Sequence, residues 1–239
     1  MIDDFLQGLR YALSGLGDLN RPGLRRYVAL PLLINLLVFG LVIAVGIDQF
    51  SALLEWLLPQ WLDWLRWLLW PLFALTILVA VFFSFTLVAN LIGAPFNGLL
   101  AEKLETQLTG VTPDSGRSLM GEIGAAFATA ARKLVYLALR ALPLLILTLI
   151  PVVNLTAPFL WFAFAAWMLA IEYGDAPMGN HGLAFAEQRR RLAANRALSL
   201  GFGTGMALLT LIPILNFAAM PAGVNGATRL WVERLKTRV

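Results

Sequence analysis

The segment that precedes the first long apolar run is suited by its residue types to bind an oxyanion. Residues 20–27 place Pro22 in the predicted first turn of a helix, where backbone N–H groups lack partners within the helix. Gly23 would let an anion approach those groups closely, and Arg25 and Arg26 supply permanent charge and forked donors. The alternative is that this arginine pair only marks the cytoplasmic end of a membrane span and contacts lipid phosphate.

Four asparagines are candidates to line a polar path. Asn154 and Asn216 each end a nearly identical segment, Leu-Thr-Leu-Ile-Pro-Val-Val-Asn and Leu-Thr-Leu-Ile-Pro-Ile-Leu-Asn, at an offset of 62 residues. In both, an apolar run reaches a proline and then continues, which is typical of a hairpin tip inside a membrane. Asn90 and Asn97 flank a Gly-Ala-Pro sequence that predicts a break or kink before a new helix, and capping is the simpler interpretation for them.

The chain offers little for catalysis or metal binding. It has no cysteine and one histidine, His181. Asp175 and His181 would form a catalytic pair only beside a nucleophile that the pattern does not place, so a hydrogen-bonded role in docking the loop is the simpler interpretation. No G-x-x-x-x-G-K-[ST] sequence occurs, so ATP-driven pumping has no support. We therefore predict no catalytic residue, no metal site, no cofactor and no enzymatic activity.

Composition predicts an all-α integral membrane protein. The chain is 59% hydrophobic and 13% charged, whereas soluble domains carry about 25% charged residues. Its net charge of +4 indicates contact with membrane lipid rather than nucleic acid, because no basic-aromatic surface module appears.

Two apolar runs, 28–47 and 67–89, reach the length of about 20 residues that a full transmembrane helix needs. The stretches 141–171 and 198–228 are interrupted by prolines, and each could be one crossing or a re-entrant hairpin. If both are hairpins, 17 of the 18 Lys and Arg residues lie on one side, and only Arg66 lies opposite. The positive-inside rule therefore favours two full spans plus two re-entrant, half-inserted helical hairpins.

The remaining segments complete a single predicted membrane domain, residues 1–239. Apolar residues at helical spacing predict an interfacial amphipathic helix over 1–17, and packing against the rest of the protein is equally favoured and compatible with that position. Charged residues predict mostly extramembrane helices over 94–140, interrupted by a turn-rich loop at 112–116, and a polar helix over 184–196. Tryptophans around the connection between the two full spans predict an interfacial aromatic belt.

Taken together, these motifs resemble the CysZ family of bacterial inner-membrane sulfate permeases. The resemblance covers essentially the whole chain. It rests on the two Ile-Pro-x-x-Asn tips, on Gly23-Leu24-Arg25-Arg26, on Gly93-Ala94-Pro95-Phe96-Asn97 through Glu102, and on Tyr173-Gly174-Asp175-Ala176-Pro177-Met178-Gly179-Asn180-His181. An aromatic residue often precedes the proline of the last motif, so Ala176 departs from the pattern and no specific role is expected for it.

The resemblance implies sulfate uptake that feeds cysteine biosynthesis, by a multi-pass, all-helical protein of the bacterial inner (cytoplasmic) membrane that assembles as a homo-oligomer. It implies that sulfate binds at Gly23, Leu24, Arg25 and Arg26. The spans contain no charged residue or histidine, which favours a channel-like mechanism, although Glu102 or Asp175 leave proton coupling open. A different class of function is a non-transporting scaffold that shapes the bilayer or organises partners, which short hairpins and an interfacial helix would also suit.

Overall fold

The computed structural model describes the backbone of residues 1–236, and their side chains apart from residues 32, 35, 60, 61, 63, 80–94, 119, 123, 213, 214 and 217. Across that backbone the chain is helical with connecting turns and contains no β-strand, as predicted. In chain order the helices are α1 Ile2–Asp18, α2 Arg25–Leu57, α3 Arg66–Thr109, α4 Leu119–Leu149, α5 Ala157–Gly179, α6 Phe185–Ala194, α7 Arg196–Thr210 and α8 Pro213–Leu230. Short 3-10 turns follow α2 and α4, and a π-helical turn follows α8.

The chain forms two compact units. The first contains Met1–Arg25 and the chain from Asn97 onward, and the second contains Arg26–Phe96. In the second unit α2 packs on the first part of α3, where Phe50 stacks on Phe73 with ring centroids 3.8 Å apart. Around the connection between these helices Trp56, Trp64 and Trp67 are exposed, as an interfacial belt would require.

By length and composition, the described residues contain two helical stretches able to span a membrane. One is Arg25–Leu57, which includes the predicted span 28–47. The other is Val153–Gly179, which contains the second arm of the predicted hairpin 141–171, so its length would also allow a full crossing.

The predicted span 67–89 lies inside the uninterrupted helix α3. Its first part belongs to the shorter apolar stretch Arg66–Val79. The remainder of the span, residues 80–89, lies among the residues whose side chains are not described.

Of the break or kink predicted near Pro95, the break is wrong and the kink stays a prediction. Helix α3 runs without interruption from Arg66 to Thr109, so the predicted start of a new segment at residue 94 is not a helix boundary. Helix α4 likewise continues through Pro143 and across the predicted boundary at residue 141. A proline inside a helix removes one backbone hydrogen bond and can bend the helix, but the many remaining bonds of a long helix keep it continuous.

Helices α4 and α5 form an antiparallel hairpin whose turn contains Pro151. Trp161 Nε1 donates to Thr148 Oγ1 at 3.1 Å near the turn, and Trp167 Nε1 donates to the Tyr136 hydroxyl at 3.0 Å further along. The hairpin therefore extends well before residue 141.

Helices α7 and α8 form the second hairpin, with its turn at residues 211–212. The repeated sequence produces the same backbone bonds at both tips. The Ile150 N–H donates to the Leu147 oxygen at 3.2 Å, and the equivalent Ile212 N–H donates to the Leu209 oxygen at 3.3 Å. The helix–turn–helix shape of both segments agrees with the sequence, and their entry into the bilayer from one side stays a prediction.

Helix α1 packs on α7 and α8 through its small residues. A Cβ on Gly8 would overlap the Leu198 carbonyl oxygen, and a Cβ on Gly15 would overlap the Ala222 carbonyl oxygen. Such backbone contact is typical of helix packing in membranes, where lipid is as apolar as the side chains. The packing of α1 against the protein is therefore observed, and its position in the membrane interface stays a prediction. The apolar side chains of its other face remain exposed, among them Ile2, Leu6 and Leu13.

Two glycines of α1 make a matched pair for testing this packing. Gly15→Ala should destabilise the protein by about 1–3 kcal/mol, because the new methyl group forces α1 away from α8. Gly17→Ala should be neutral or stabilising by up to about 1 kcal/mol, because a Cβ there has no other atom within 4 Å. Thermal unfolding in detergent measures both, and equal melting temperatures for the two variants would contradict the packing described.

Candidate functional site

A tight turn, residues 21–24, joins α1 to α2 at the predicted anion site. The Leu24 N–H donates to the Arg21 carbonyl oxygen at 3.2 Å, and Gly23 has a φ of +83°. Proline followed by a glycine of positive φ is the pattern of a type II β-turn. Helix α2 therefore begins at Arg25, and the prediction that Pro22 lies in the first helical turn is wrong, because this glycine conformation interrupts a right-handed helix.

The turn rests on the last turns of α3. Gln107 Nε2 donates to the Pro22 carbonyl oxygen at 3.1 Å, and Leu24 is fully buried. A Cβ on Gly23 would lie 3.7 Å from Gln107 Nε2 and 4.0 Å from Lys103 Cε. The bare backbone of Gly23 is thus beside an amide donor and a lysine, which suits a small oxyanion. Leu24 serves as an anchor, since its side chain is buried and its N–H is already bonded.

A buried carboxylate fixes the start of this turn. Asp18 is 3% exposed and accepts bonds at both oxygens from Arg229, one of them at 2.9 Å. Arg21 pairs with the same carboxylate, so the negative charge of Asp18 is neutralised. The Tyr11 hydroxyl donates a hydrogen bond to Glu233 Oε2 at 2.8 Å. Burial and the neighbouring Glu233 carboxylate raise the pKa of Tyr11 to about 12, so the hydroxyl stays protonated. The network ties the end of α1 to the end of α8.

The two predicted arginine ligands are exposed. In the described part of the chain neither Arg25 nor Arg26 has a carboxylate within ion-pair distance. Arg26 Nη2 donates to the Tyr27 hydroxyl at 3.0 Å, and its guanidinium lies 4.8 Å from the centre of that ring. Arg25 belongs to the first unit and Arg26 is the first residue of the second.

The predicted asparagines occupy separate elements. Asn154 lies at the turn of the first hairpin and Asn216 near that of the second, and both are exposed. Asn97 is partly exposed on α3, and the side chain of Asn90 lies outside the described residues. The proposal that these side chains line one path stays a prediction.

A buried charged cluster that the sequence interpretation missed lies on α3. Glu105 is fully buried, and its Oε1 contacts His181 Nε2 at 2.9 Å and Lys236 Nζ at 2.8 Å. The rings of His181 and Trp231 have centroids 5.3 Å apart, and Arg191 lies 5.3 Å above the Trp231 ring. The docking role predicted for His181 agrees with this arrangement, because its partner is a carboxylate on another helix.

Helical spacing could have revealed Glu105. Leu100, Ala101 and Leu104 are fully buried with it. Residues four apart lie one above the other on a helix, so the pairs 100/104 and 101/105 form two adjacent rows of one broad face. A charged residue on a face that is otherwise apolar indicates a buried partner.

Asp175 has other partners than His181. Lys133 Nζ lies 2.8 Å from both Asp175 and Glu172, and Gln188 Nε2 donates to Asp175 at 2.9 Å. Burial lowers the pKa of Lys133, but the two carboxylates outweigh it and raise that pKa above its ordinary value. The structure therefore does not form an Asp175–His181 pair. Across the described residues no group of three or more His, Cys, Asp or Glu side chains is placed to hold a metal ion.

The described backbone is all-helical, and two of its helical stretches are long and apolar enough to span a membrane, which is the pattern expected of a helical membrane protein. The sequence pattern of the family described as sulfate transporter CysZ/etoposide-induced protein 2.4 matches residues 11–221. The chain therefore belongs to this family.

Several relatives carry the name sulfate transporter CysZ. The protein of Pseudomonas aeruginosa PAO1 is 46% identical over 234 residues, covering 95% of each chain. That of Vibrio parahaemolyticus is 42% identical over 97% of this chain and 94% of its own. That of Pectobacterium atrosepticum is 42% identical over 98% of this chain and 87% of its own.

The buried cluster gives a second testable contrast. Glu105→Gln should lower the free energy of unfolding by about 1–3 kcal/mol, because it removes the charge that pairs with His181 and Lys236. Glu102→Gln is the matched control on the same helix, since Glu102 is partly exposed and has no ion-pair partner among the described residues. Chemical denaturation in detergent measures both; a Glu105→Gln protein as stable as the control would show that the cluster does not stabilise the fold.

Proposed function

We propose that this protein conducts sulfate across the bacterial inner membrane for assimilation into cysteine, by a channel-like route whose entrance is the turn at residues 21–24 and the start of α2. Relatives that are 42–46% identical are named as sulfate transporters, and a helical membrane fold is compatible with transport. The observation that carries the site is the open backbone of Gly23 beside Lys103 and Gln107, next to exposed arginines.

The chemistry of that turn fits a tetrahedral dianion. Helix α2 begins at Arg25, so the N–H groups of its first turn have no acceptor within the helix. Arg25 and Lys103 add positive charge, and the Gln107 amide retains a second hydrogen after bonding Pro22. Arg26 joins the set through the family resemblance. Asp18 does not repel the anion strongly, because Arg21 and Arg229 neutralise it.

A channel-like mechanism needs an external driving force. Moving two negative charges into a cell that is negative inside costs about 4.6 kcal/mol at about 100 mV. Of the carboxylates considered for proton coupling, Asp175 is already held by Lys133 and Gln188, and Glu102 has no such partner among the described residues. We propose that rapid consumption of internal sulfate supplies the driving force.

The proposal extends to a homo-oligomer in the lipid bilayer. A hairpin that enters halfway cannot by itself form a continuous conduit, so several protomers would complete it. Large apolar side chains at the tip of the first hairpin are available for lipid or for another copy; they include Leu149, Val152, Leu155 and Phe159, which are 74–82% exposed.

Uptake of radiolabelled sulfate into proteoliposomes tests the function. Uptake into liposomes that contain wild-type protein should exceed uptake into empty liposomes. Arg25→Ala with Arg26→Ala should lower the initial rate by about 100-fold or more, because each of the two lost charge-assisted contacts is worth about 1.5–3 kcal/mol. Arg190→Ala is the control, since Arg190 is an exposed arginine on α6 that pairs with Glu187.

Folded wild-type protein without uptake would overturn the transport proposal and favour the scaffold alternative. If wild-type protein transports sulfate and the double substitution leaves the rate unchanged, the proposed binding site is wrong but the proposed transport function still holds.

A further inference from the structure

An open groove lies between α4 and α6 in the first unit, away from the turn at residues 21–24. Its volume is about 370 Å³. Its lining combines apolar, aromatic and cationic side chains: Ala131, Arg132, Val135, Tyr136, Leu139, Phe185 and Arg189. No step of the proposed transport uses these residues.

The floor of the groove is ordered by ring contacts. Tyr136 meets Phe185 edge-on with ring centroids 5.9 Å apart, and its hydroxyl accepts a hydrogen bond from Trp167 Nε1 at 3.0 Å. Phe185 is 5% exposed. Val135 and Leu139 lie one helical turn apart on α4 and give the floor an apolar strip.

Arg132 and Arg189 line the groove, Arg140 lies beside it, and none of the three has an acidic partner among the described residues. Arg189 lies 4.9 Å and Arg140 lies 5.6 Å from the centre of the same Tyr136 ring. Among the described residues, no carboxylate lies within 4 Å of Arg132, Arg140 or Arg189. Two cations that share one ring repel each other, and a bound anion would relieve that repulsion.

On helix α6 the two arginines that follow Arg189 are paired with a carboxylate, whereas Arg189 is not among the ion pairs of the described residues. Its acidic residue Glu187 pairs with Arg190 at 2.8 Å and with Arg191 at 3.1 Å. Arg189 lies between Glu187 and Arg190 in the sequence, but its guanidinium contacts the aromatic rings of the groove instead of the carboxylate.

The predicted entry of the first hairpin into the bilayer places the groove near the membrane surface. Apolar side chains follow it towards the hairpin tip, and Leu139, Leu142 and Leu145 are more than half exposed. Tyr136 precedes Ala141, where the predicted hairpin enters the bilayer, by about 7.5 Å of helix. Tyrosine and arginine are suited to the headgroup layer, and an apolar strip is suited to the acyl chains beneath it.

We propose that the α4–α6 groove binds one anionic glycerophospholipid. Its phosphate is held by Arg132, Arg140 and Arg189, and one acyl chain runs over Val135 and Leu139 towards the hairpin tip. A free oxyanion would leave the apolar strip unused, and a neutral lipid would leave the cations unpaired. Basic pockets between helices bind anionic headgroups in this way.

Native mass spectrometry of the delipidated full-length protein tests the site, with phosphatidylglycerol and phosphatidylcholine of identical chains as probes. Wild-type protein should bind phosphatidylglycerol preferentially. Arg132→Gln with Arg189→Gln should weaken that binding by about 30-fold, since each cation contributes about fivefold. Arg190→Gln is the matched charge control and should bind as wild type, because Arg190 is already paired with Glu187.

A second pair of variants tests the acyl strip without changing charge. Val135→Trp should fill the groove and weaken phosphatidylglycerol binding, whereas Leu134→Trp, at an exposed position outside the groove, should leave it unchanged. All variants are checked for wild-type melting temperature.

The proposal would be overturned if wild-type protein bound the two lipids equally. It would also be overturned if the groove variants and the control variants lost the same amount of phosphatidylglycerol binding. Displacement of phosphatidylglycerol by millimolar sulfate or inorganic phosphate would also overturn it, because the site would then recognise a free oxyanion.

Discussion

The ion pair between Asp18 and Arg229 is the contact on which the candidate site depends. It joins residues 211 positions apart, and Arg21 shares the same buried carboxylate. A buried charge that loses its partner costs far more than the pair contributes, so this contact tolerates little change. It fixes the end of α1 on α8, and the turn at residues 21–24 starts from that fixed end.

Backbone packing extends this constraint along the helices. Gly8 and Gly15 bring α1 against α7 and α8, and Gly203 brings α7 against Ala166 of α5, where a Cβ would overlap a carbonyl oxygen. The two hairpins and α1 therefore form one unit with little space between backbones. In lipid, where apolar side chains gain little from leaving the solvent, such close packing is a main source of helix association.

Pairing divides the cations into two groups. Arg21 and Arg229 neutralise Asp18, whereas Arg25 and Arg189 have no carboxylate partner among the described residues. The two unpaired arginines have different surroundings. Arg25 lies beside the bare backbone of Gly23 and the Gln107 amide, whereas Arg189 lies beside aromatic rings and an apolar strip. The first environment suits a small oxyanion and the second suits a lipid headgroup with its chain.

The sequence by itself determined the helical membrane class and the turns at the two hairpin tips. These follow from composition, apolar run length and local proline and glycine chemistry, which need no knowledge of distant residues. It misplaced Pro22 and the break at Pro95, because proline stops a helix only where the surrounding bonds allow it. Only the tertiary structure decided which charges are paired. Glu105 meets His181 and Lys236 across 76 and 131 residues, and contacts at such separations depend on how the helices pack.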